Sequence, residues 1–355
     1  MAITWPAQAN ANIAASTQRL FLRSVVDQVL FKMPLYARLL MADQVKKVWP
    51  GGDYITRPVK TARMYSLAQD YGPNDALTAG SLTLLDAPRF LWKMFQVPVL
   101  YGVKERFMNS GGKETQLLDL IEFLVDTAQD GAREHMYRLM YDSTTTDDGD
   151  KFQSVIQALD HGDSGADVGY TYGGLIRDIS AGTRNWWQSA DMTDFDGAAS
   201  HQDTQYSASI DTVRRGLSAV NRYARPKSEF LIACGSEIHL ALKSWIQTER
   251  ISTEAGPLAK YGFNSFTIDS VECVEDIFLR NANITNSHKW LFIYHVPSWE
   301  LRFHPERMMA FTGFTWQGDR VGGFDQWLAR ILNMGNFMCW QPNVNMWLSN
   351  VVVTT

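Results

Sequence analysis

Tyr170-Thr171-Tyr172-Gly173-Gly174-Leu175-Ile176-Arg177, followed nine residues after Arg177 by Trp186-Trp187, is the stretch on which the reading of this chain turns. It opens the part of the sequence, from about residue 170, where helix and strand patterns alternate. Its Gly pair lacks the Lys and Ser/Thr that a phosphate-cradling loop requires, as do the pairs at 51–52, 111–112 and 322–323. Its Trp pair belongs to a complement of 12 Trp, 18 Phe and 13 Tyr. Aromatic side chains bring large apolar area with a polar tip, so a well-filled core and extensive interfaces both use them. Both readings stand.

Toward the N-terminus, Thr144 to Gly169 is a polar connection holding Asp147, Asp148, Asp150, Asp160, Asp163 and Asp167. The regular calcium-loop spacing with its closing Glu is missing, so a solvated acidic loop is the plain reading. Before it, residues 113–142 carry Leu117, Ile121, Leu124, Ala128, Ala132, Met136, Leu139 and Met140 at helical period without a proline. At about 1.5 Å per residue that helix would be roughly 45 Å long. Gly131 is its weak point, at up to about 1 kcal/mol relative to Ala.

Further upstream, Tyr54–Val59 and Phe90–Val97 are rich in β-formers, with a turn at Tyr71-Gly72-Pro73-Asn74-Asp75 between them. Pro58, Pro88 and Pro98 mark edge strands. Two arms of about fourteen residues would each reach roughly 45 Å. A lone ribbon of that length needs something to lie on. Cover for Met64, Tyr65, Leu67, Leu84, Phe90 and Trp92 comes from a neighbouring copy or from the chain's own core. Residues 17–31 read as an amphipathic helix, interrupted by Pro34, with a short second helix from Tyr36 to Lys46. Over residues 1–47, Arg19, Arg23, Lys32, Arg38, Lys46 and Lys47 face only Asp27 and Asp43. This basic arm suits phosphate without sequence specificity, and equally a solvated helix face.

Toward the C-terminus, Ser209–Ala224 reads as a helix. Glu229–Cys234 reads as a buried strand, and Ser236 as the cap of a helix to Arg250. Phe266–Val271, Trp290–Val296, Trp299–Phe303, Met308–Trp316, Trp327–Met334 and Asn345–Val353 read as strands. No internal repeat is visible.

A chain of 355 residues suits two or three lobes. Its 45% hydrophobic and 20% charged residues are ordinary for a folded protein. The net charge of -5 argues against a dedicated nucleic-acid binder. Cys234, Cys273 and Cys339 show no paired spacing, hence no disulfide framework and no zinc pattern. A reducing place of synthesis fits. The start Met-Ala-Ile-Thr-Trp-Pro is not a signal peptide, and no run approaches the roughly 20 apolar residues that span a bilayer. The seven His form no metal spacing, and no Gly-x-Ser-x-Gly elbow or dinucleotide fingerprint occurs. Cys234 before Gly-Ser is a weak nucleophile-like setting; a buried, inert Cys is the plain reading. No catalytic residue, cofactor or metal site is expected, and no enzymatic activity.

The stretch from Tyr170 to Trp187 resembles a signature of tailed-bacteriophage major capsid proteins of the Hong Kong 97 type. There a Gly-Gly-Ile-Asp/Ser-Arg-like turn precedes a Trp-Trp pair at the entry to the axial domain. Leu175-Ile176 departs from the usual order, so the match is one of pattern. Leu332–Pro342 is similar to the family's late strand, which ends in an apolar-Cys-x-x-Pro run.

The resemblance implies an α+β fold of the Hong Kong 97 type. Its parts would be an N-terminal arm and helix (1–50), an extended β-hairpin loop (51–103), a peripheral domain with a spine helix (104–165, helix 113–142), a mixed α/β axial domain (166–300) and return strands of the peripheral domain (301–355). It implies a shell subunit that forms pentamers and hexamers of an icosahedral head around double-stranded DNA. Met64, Tyr65, Leu67, Leu84, Phe90 and Trp92 would then lie at subunit interfaces. Arg19, Arg23, Lys46 and Lys47 would face packaged DNA by non-specific contact.

The expected partners are copies of the chain, a separate scaffolding protein (no fused scaffolding segment precedes the arm), a portal and decoration proteins, with no membrane. The expected place is the virion, after synthesis in the host bacterial cytoplasm. Some members crosslink a Lys of the extended loop to a neighbour's Asn, and Lys60 and Lys93 lie in that region. Two alternatives stay open: the shell of a cellular encapsulating compartment, and an α/β enzyme with an unrecognised site.

Overall fold

The computed structural model describes residues 33–49, 52–61, 67–68, 70–71, 84–104, 120–142, 147, 149–159, 171–176, 186–190, 206–221, 225–248, 265–280, 289–318, 325–348 and 351–353. The expected helix 17–31, Arg19 and Arg23, Met64 and Tyr65, and residues 113–119 lie outside them. The chain forms two compact units. One takes in Met94–Tyr137 and Phe303–Gly335; the other takes in Lys32–Lys93, Arg138–Arg302 and Asn336–Thr355.

The larger unit is organised on a five-stranded mixed sheet. Its strand order is Ser265–Ile268, Val271–Glu275, Phe230–Cys234, Leu291–His295, Met346–Leu348. Phe230–Cys234 is buried throughout, which explains its unbroken apolar run. It pairs in parallel with Val271–Glu275 and antiparallel with Leu291–His295. Side-chain alternation splits this sheet into two covered faces. Phe230, Ile232 and Cys234 join Cys273, Ile293 and Met346 in one core, closed by two helices. The helix Ile210–Val220 supplies Ile210, Val213, Leu217 and Val220; the helix Ser236–Thr248 supplies Ile238, Leu242 and Ile246. On the other face Phe292 stacks on Tyr294 at 5.4 Å and on Trp347 at 6.0 Å. Much of the aromatic complement is therefore core.

Local chemistry sets the element ends. Ser209 caps its helix by accepting from the Thr212 backbone N–H at 3.3 Å. Ser236 is the first helical residue and not the cap, a one-place shift from the sequence reading. The single strand expected over Phe266–Val271 is a hairpin. Asp269 (φ 50) and Ser270 (φ 69) turn it back, so that Ile268 pairs with Val271. Positive φ at both central residues is what a two-residue hairpin turn demands. Near the N-terminus the helix is Pro34–Met41, with Pro34 in its first turn, where a missing N–H costs nothing. It stops before Asp43 (φ 54), so Lys46 and Lys47 stand on the strand Val45–Lys47 and not on a helix.

The smaller unit carries Lys93–Gly102 from Met94 onward, paired with the strand Gln326–Cys339. Ala310–Phe311 and Thr315–Trp316 pair antiparallel with that long strand at Leu332/Ile331 and Leu328/Trp327. The one run expected over Met308–Trp316 is thus broken, near Gly313 (φ 76). The described helix is Leu120–Met140, 21 residues or about 31 Å. Ala132, Met136, Leu139 and Met140 are buried, Leu124 and Ala128 half-buried, and Ile121 exposed. No described helix is long and apolar enough to cross a membrane.

Candidate assembly surface

The expected hairpin is present at its stem. Tyr54–Thr56 pairs antiparallel with Arg89–Leu91, and Val59–Lys60 with Leu85–Asp86. The Thr61 N–H reaches the Leu84 carbonyl at 3.0 Å. Most of residues 62–83 lies outside the described residues.

The stretch that resembles a capsid signature locks this stem. Tyr172-Gly173-Gly174-Leu175 is a tight turn joining Thr171–Tyr172 to Leu175–Ile176, with Gly173 at φ 61 and Gly174 at φ 72. The Gly173 carbonyl accepts from the Arg89 N–H at 2.8 Å. The Phe90 ring meets Tyr172 at 5.1 Å and Trp340 at 5.5 Å, both edge-on. Trp187 donates its indole N–H to the Tyr172 carbonyl at 2.8 Å, and the Tyr172 hydroxyl accepts from the Cys339 N–H at 2.7 Å. Asp147, from the acidic connection, accepts from the Gly174 N–H and from the side chains of Gln153 and Gln157, each at 3.0 Å. The Gly-Gly turn, the second Trp of the pair, the Cys339 run and one Asp of the acidic loop therefore meet in one cluster at the foot of the hairpin.

A side chain at Gly173 has no room there. A Cβ would lie 2.8 Å from Phe90 Cζ and 3.0 Å from Pro88 Cβ, on a backbone that L-residues avoid. Gly173→Ala is expected to cost about 2–4 kcal/mol, from left-handed strain and overpacking together. Gly174→Ala has the same strain but nothing within 4 Å, and should cost only about 1–2 kcal/mol. Urea unfolding of both variants tests this; equal losses would contradict the close packing of Phe90 on Gly173.

The predicted interface residues divide. Phe90 is a correction: it is 0% exposed within the single chain, so its side chain is core and offers nothing to a neighbour. Leu67, Leu84 and Trp92 are half-buried. Lys93, one of the crosslink positions, is buried; Lys60 is exposed. The side chains the sequence reading missed are Trp49 (63% exposed), Tyr54 (50%), Tyr71 (70%) and Leu85 (64%). Ile55 is buried, and period-two alternation about it puts Tyr54 outward, a signal that was available.

Of the basic residues, Lys47 is exposed and Lys46 lies 3.5 Å from the buried carboxylate of Glu300. Glu300 also accepts from Arg302 at 2.8 and 3.2 Å and from the Trp340 indole N–H at 2.6 Å. Burial alone would push its pKa up; Arg302, Trp340 and Lys46 outweigh that and hold it below the usual value. A carboxyl depressed in the folded state stabilises above its unfolded pKa, and that stability is lost as pH falls through the folded pKa. Glu300→Gln should therefore cost roughly 2 kcal/mol at neutral pH. The gap from the native chain should close below about pH 4. Urea midpoints across pH test it; a gap constant with pH would sink the assignment.

The three cysteines are free and buried. Cys234 and Cys273 lie 3.9 Å apart, sulfur to sulfur, on neighbouring strands. The hydrogen bond with Cys273 and burial push the Cys234 thiol up, in keeping with its place in the core. His295 is buried, with Nε2 hydrogen-bonded to Glu229 at 3.0 Å and its ring nitrogens 3.0 and 3.2 Å from Arg225. Burial first, and Arg225 after it, lower its pKa despite Glu229. Among the described residues no group of three or more His, Cys, Asp or Glu is placed to hold a metal.

No protein-family model matches this chain, and no curated protein matches its sequence. Solved structures do match its fold. A chain of the Cyanophage A-1(L) capsid asymmetric unit superposes at TM-score 0.65 with 10% identity, over 93% of this chain and 96% of that one. The capsid of a native GTA particle matches at TM-score 0.57 and 9% identity, over 99% and 100%. The SrpI encapsulin of Synechococcus elongatus matches at TM-score 0.53 and 10% identity, over 94% of each. This chain has the mixed helix-and-sheet fold of tailed-phage capsid proteins, along nearly its whole length.

Proposed function

We propose that this chain is the major capsid protein of a tailed, double-stranded DNA bacteriophage. Copies form pentamers and hexamers, and these close an icosahedral head around the genome. The observation that carries this reading is the hairpin. Its foot is locked by Phe90, Tyr172, Gly173 and Trp340, while Tyr54, Tyr71 and Leu85 along it are uncovered, in a chain that follows capsid folds end to end. Apolar side chains on an edge ribbon mark a surface that another molecule covers.

In this reading residues 51–103 are the extended loop and lie on a neighbouring copy. The helix within 113–142 is the spine, 166–300 the axial domain, and 104–165 with 301–355 the peripheral domain. Leu67, Leu84 and Trp92, with Met64 and Tyr65, meet the neighbour; Arg19, Arg23, Lys46 and Lys47 face DNA. A closed shell multiplies modest heterologous contacts into a stable whole. The protein acts by assembly and not by catalysis. Its place is the virion, its synthesis the host bacterial cytoplasm, and its further partners a scaffolding protein, a portal and decoration proteins.

Electron microscopy of the purified protein, with and without scaffolding protein, tests the reading. Rings and closed shells are expected; monomers under every condition would overturn it. A second reading, the shell of a cellular compartment, is favoured by the likeness to an encapsulin. The contents of particles from the native source separate the two: double-stranded DNA for the first, a cargo enzyme for the second.

A further inference from the structure

Beside the foot of the hairpin, and wholly within the larger unit, lies a cavity of about 330 Å³. Arg57, Lys60 and Arg225 line it together with His295, Trp340 and Gln341, and no carboxylate is among its described lining residues. Arg225 is held in place: one terminal nitrogen donates to His295, the other to the Gln341 side-chain carbonyl at 2.8 Å. Its two terminal nitrogens are engaged, but the guanidinium carries five N–H donors, which leaves some for a ligand. Arg57 lies over the Trp340 ring, 5.9 Å from its centre. Neither Arg57 nor Lys60 has an ion pair among the described residues. Of the carboxylates bordering it, Glu229 is bonded to His295 and Glu300 to the Trp340 indole N–H.

Three cations thus share one recess that has no carboxylate among its described lining residues. Like charges gathered at one recess repel, and an anion relieves that repulsion. A single carboxylate would neutralise one of the three. The space is also larger than one tetrahedral ion: at about 30 Å³ per water it has room for about ten waters. Linked phosphate groups match both the charge and the volume, and guanidinium groups bind phosphate oxygens in pairs.

We infer that this recess is an anion-binding site for a polyvalent phosphate group, either a free polyphosphate ion or the phosphodiester chain of a nucleic acid. Arg57 and Arg225 take the oxygens by paired hydrogen bonds, and Lys60 adds a point charge at the mouth. Neutral His295 keeps Arg225 in register. The site does not depend on the assembly reading.

Calorimetric titration of the full chain with inorganic pyrophosphate tests it. One saturable site per chain is expected. Affinity should fall at least about tenfold in Arg57→Gln/Lys60→Gln, the loss expected on removing charge-assisted hydrogen bonds. Lys47→Gln, an exposed cation outside the recess, should bind as the native chain does. Both pocket residues are exposed, so the double variant should keep the native thermal midpoint. A short DNA duplex that displaces pyrophosphate assigns the phosphodiester source; failure to displace it assigns the free ion. Absence of saturable binding, unchanged affinity in the double variant, or an equal loss in Lys47→Gln would overturn the site. So would tight binding of an acidic peptide that pyrophosphate does not displace.

Discussion

A chain lacking residues 61–87 is expected to fold, stay in solution and fail to form stable shells. The part removed is the outer hairpin together with the Leu85–Asp86 side of the stem; the rung between Tyr54–Thr56 and Arg89–Leu91 stays. Ile55 and Phe90 pair at the foot, and Phe90 packs on Tyr172 and Trp340 whether or not the tip exists. After the deletion, residues 57–60 and Pro88 connect Thr56 to Arg89, a loop length that natural hairpins use. The deletion also removes Tyr71 and Leu85, two of the most exposed apolar side chains, so solubility should not fall. If the hairpin lies on a neighbour, each copy loses one contact, and the loss recurs at every position of the shell. Sedimentation should show monomers or open rings, with a thermal midpoint near that of the native chain. Particles of normal size and stability from this variant would refute an assembly role for the hairpin. An insoluble product would instead place residues 61–87 in the subunit's own core.

What could be read from the sequence follows from how locally each feature is determined. Phe230–Cys234 is apolar at every position because both faces of its sheet are covered, so its strand was legible. So were the hairpin stem, from paired β-rich runs around a turn, and the helix ending at Met140, from apolar spacing without proline. Asp269 and Ser270 hid a turn, because neither is glycine, yet both take the positive φ of a two-residue hairpin turn. Phe90 looked like an interface residue because an edge ribbon leaves its cover unspecified. Only the folded chain shows that Gly173, 83 positions later, leaves the space its ring occupies. The basic recess was not legible at all, since Arg57, Arg225 and Gln341 come from three distant segments.

Gly131→Pro is expected to abolish the native subunit, whereas Gly131→Ala should strengthen it. Gly131 sits in the middle of Leu120–Met140, exposed, with nothing within 4 Å of where a Cβ would be. Proline there removes the N–H that bonds the carbonyl four residues back, and its ring strikes that carbonyl, at about 3 kcal/mol or more. The damage spreads because the buried part of the helix begins one residue on: Ala132, Met136, Tyr137, Leu139 and Met140 must all keep their phase to stay packed. Against a total stability of roughly 5–15 kcal/mol, a kink that also unpacks this face should prevent recovery of soluble, cooperatively unfolding protein. Alanine makes the opposite change. It restricts the unfolded chain and meets no neighbour, so a gain of up to about 1 kcal/mol in urea unfolding is expected. The pair of variants separates helix from alternatives that either one alone would leave open. A loop or helix end at 131 would tolerate proline and gain little from alanine; a continuous helix requires opposite signs. Native-like particles from Gly131→Pro would show that the chain does not run as a helix through this point.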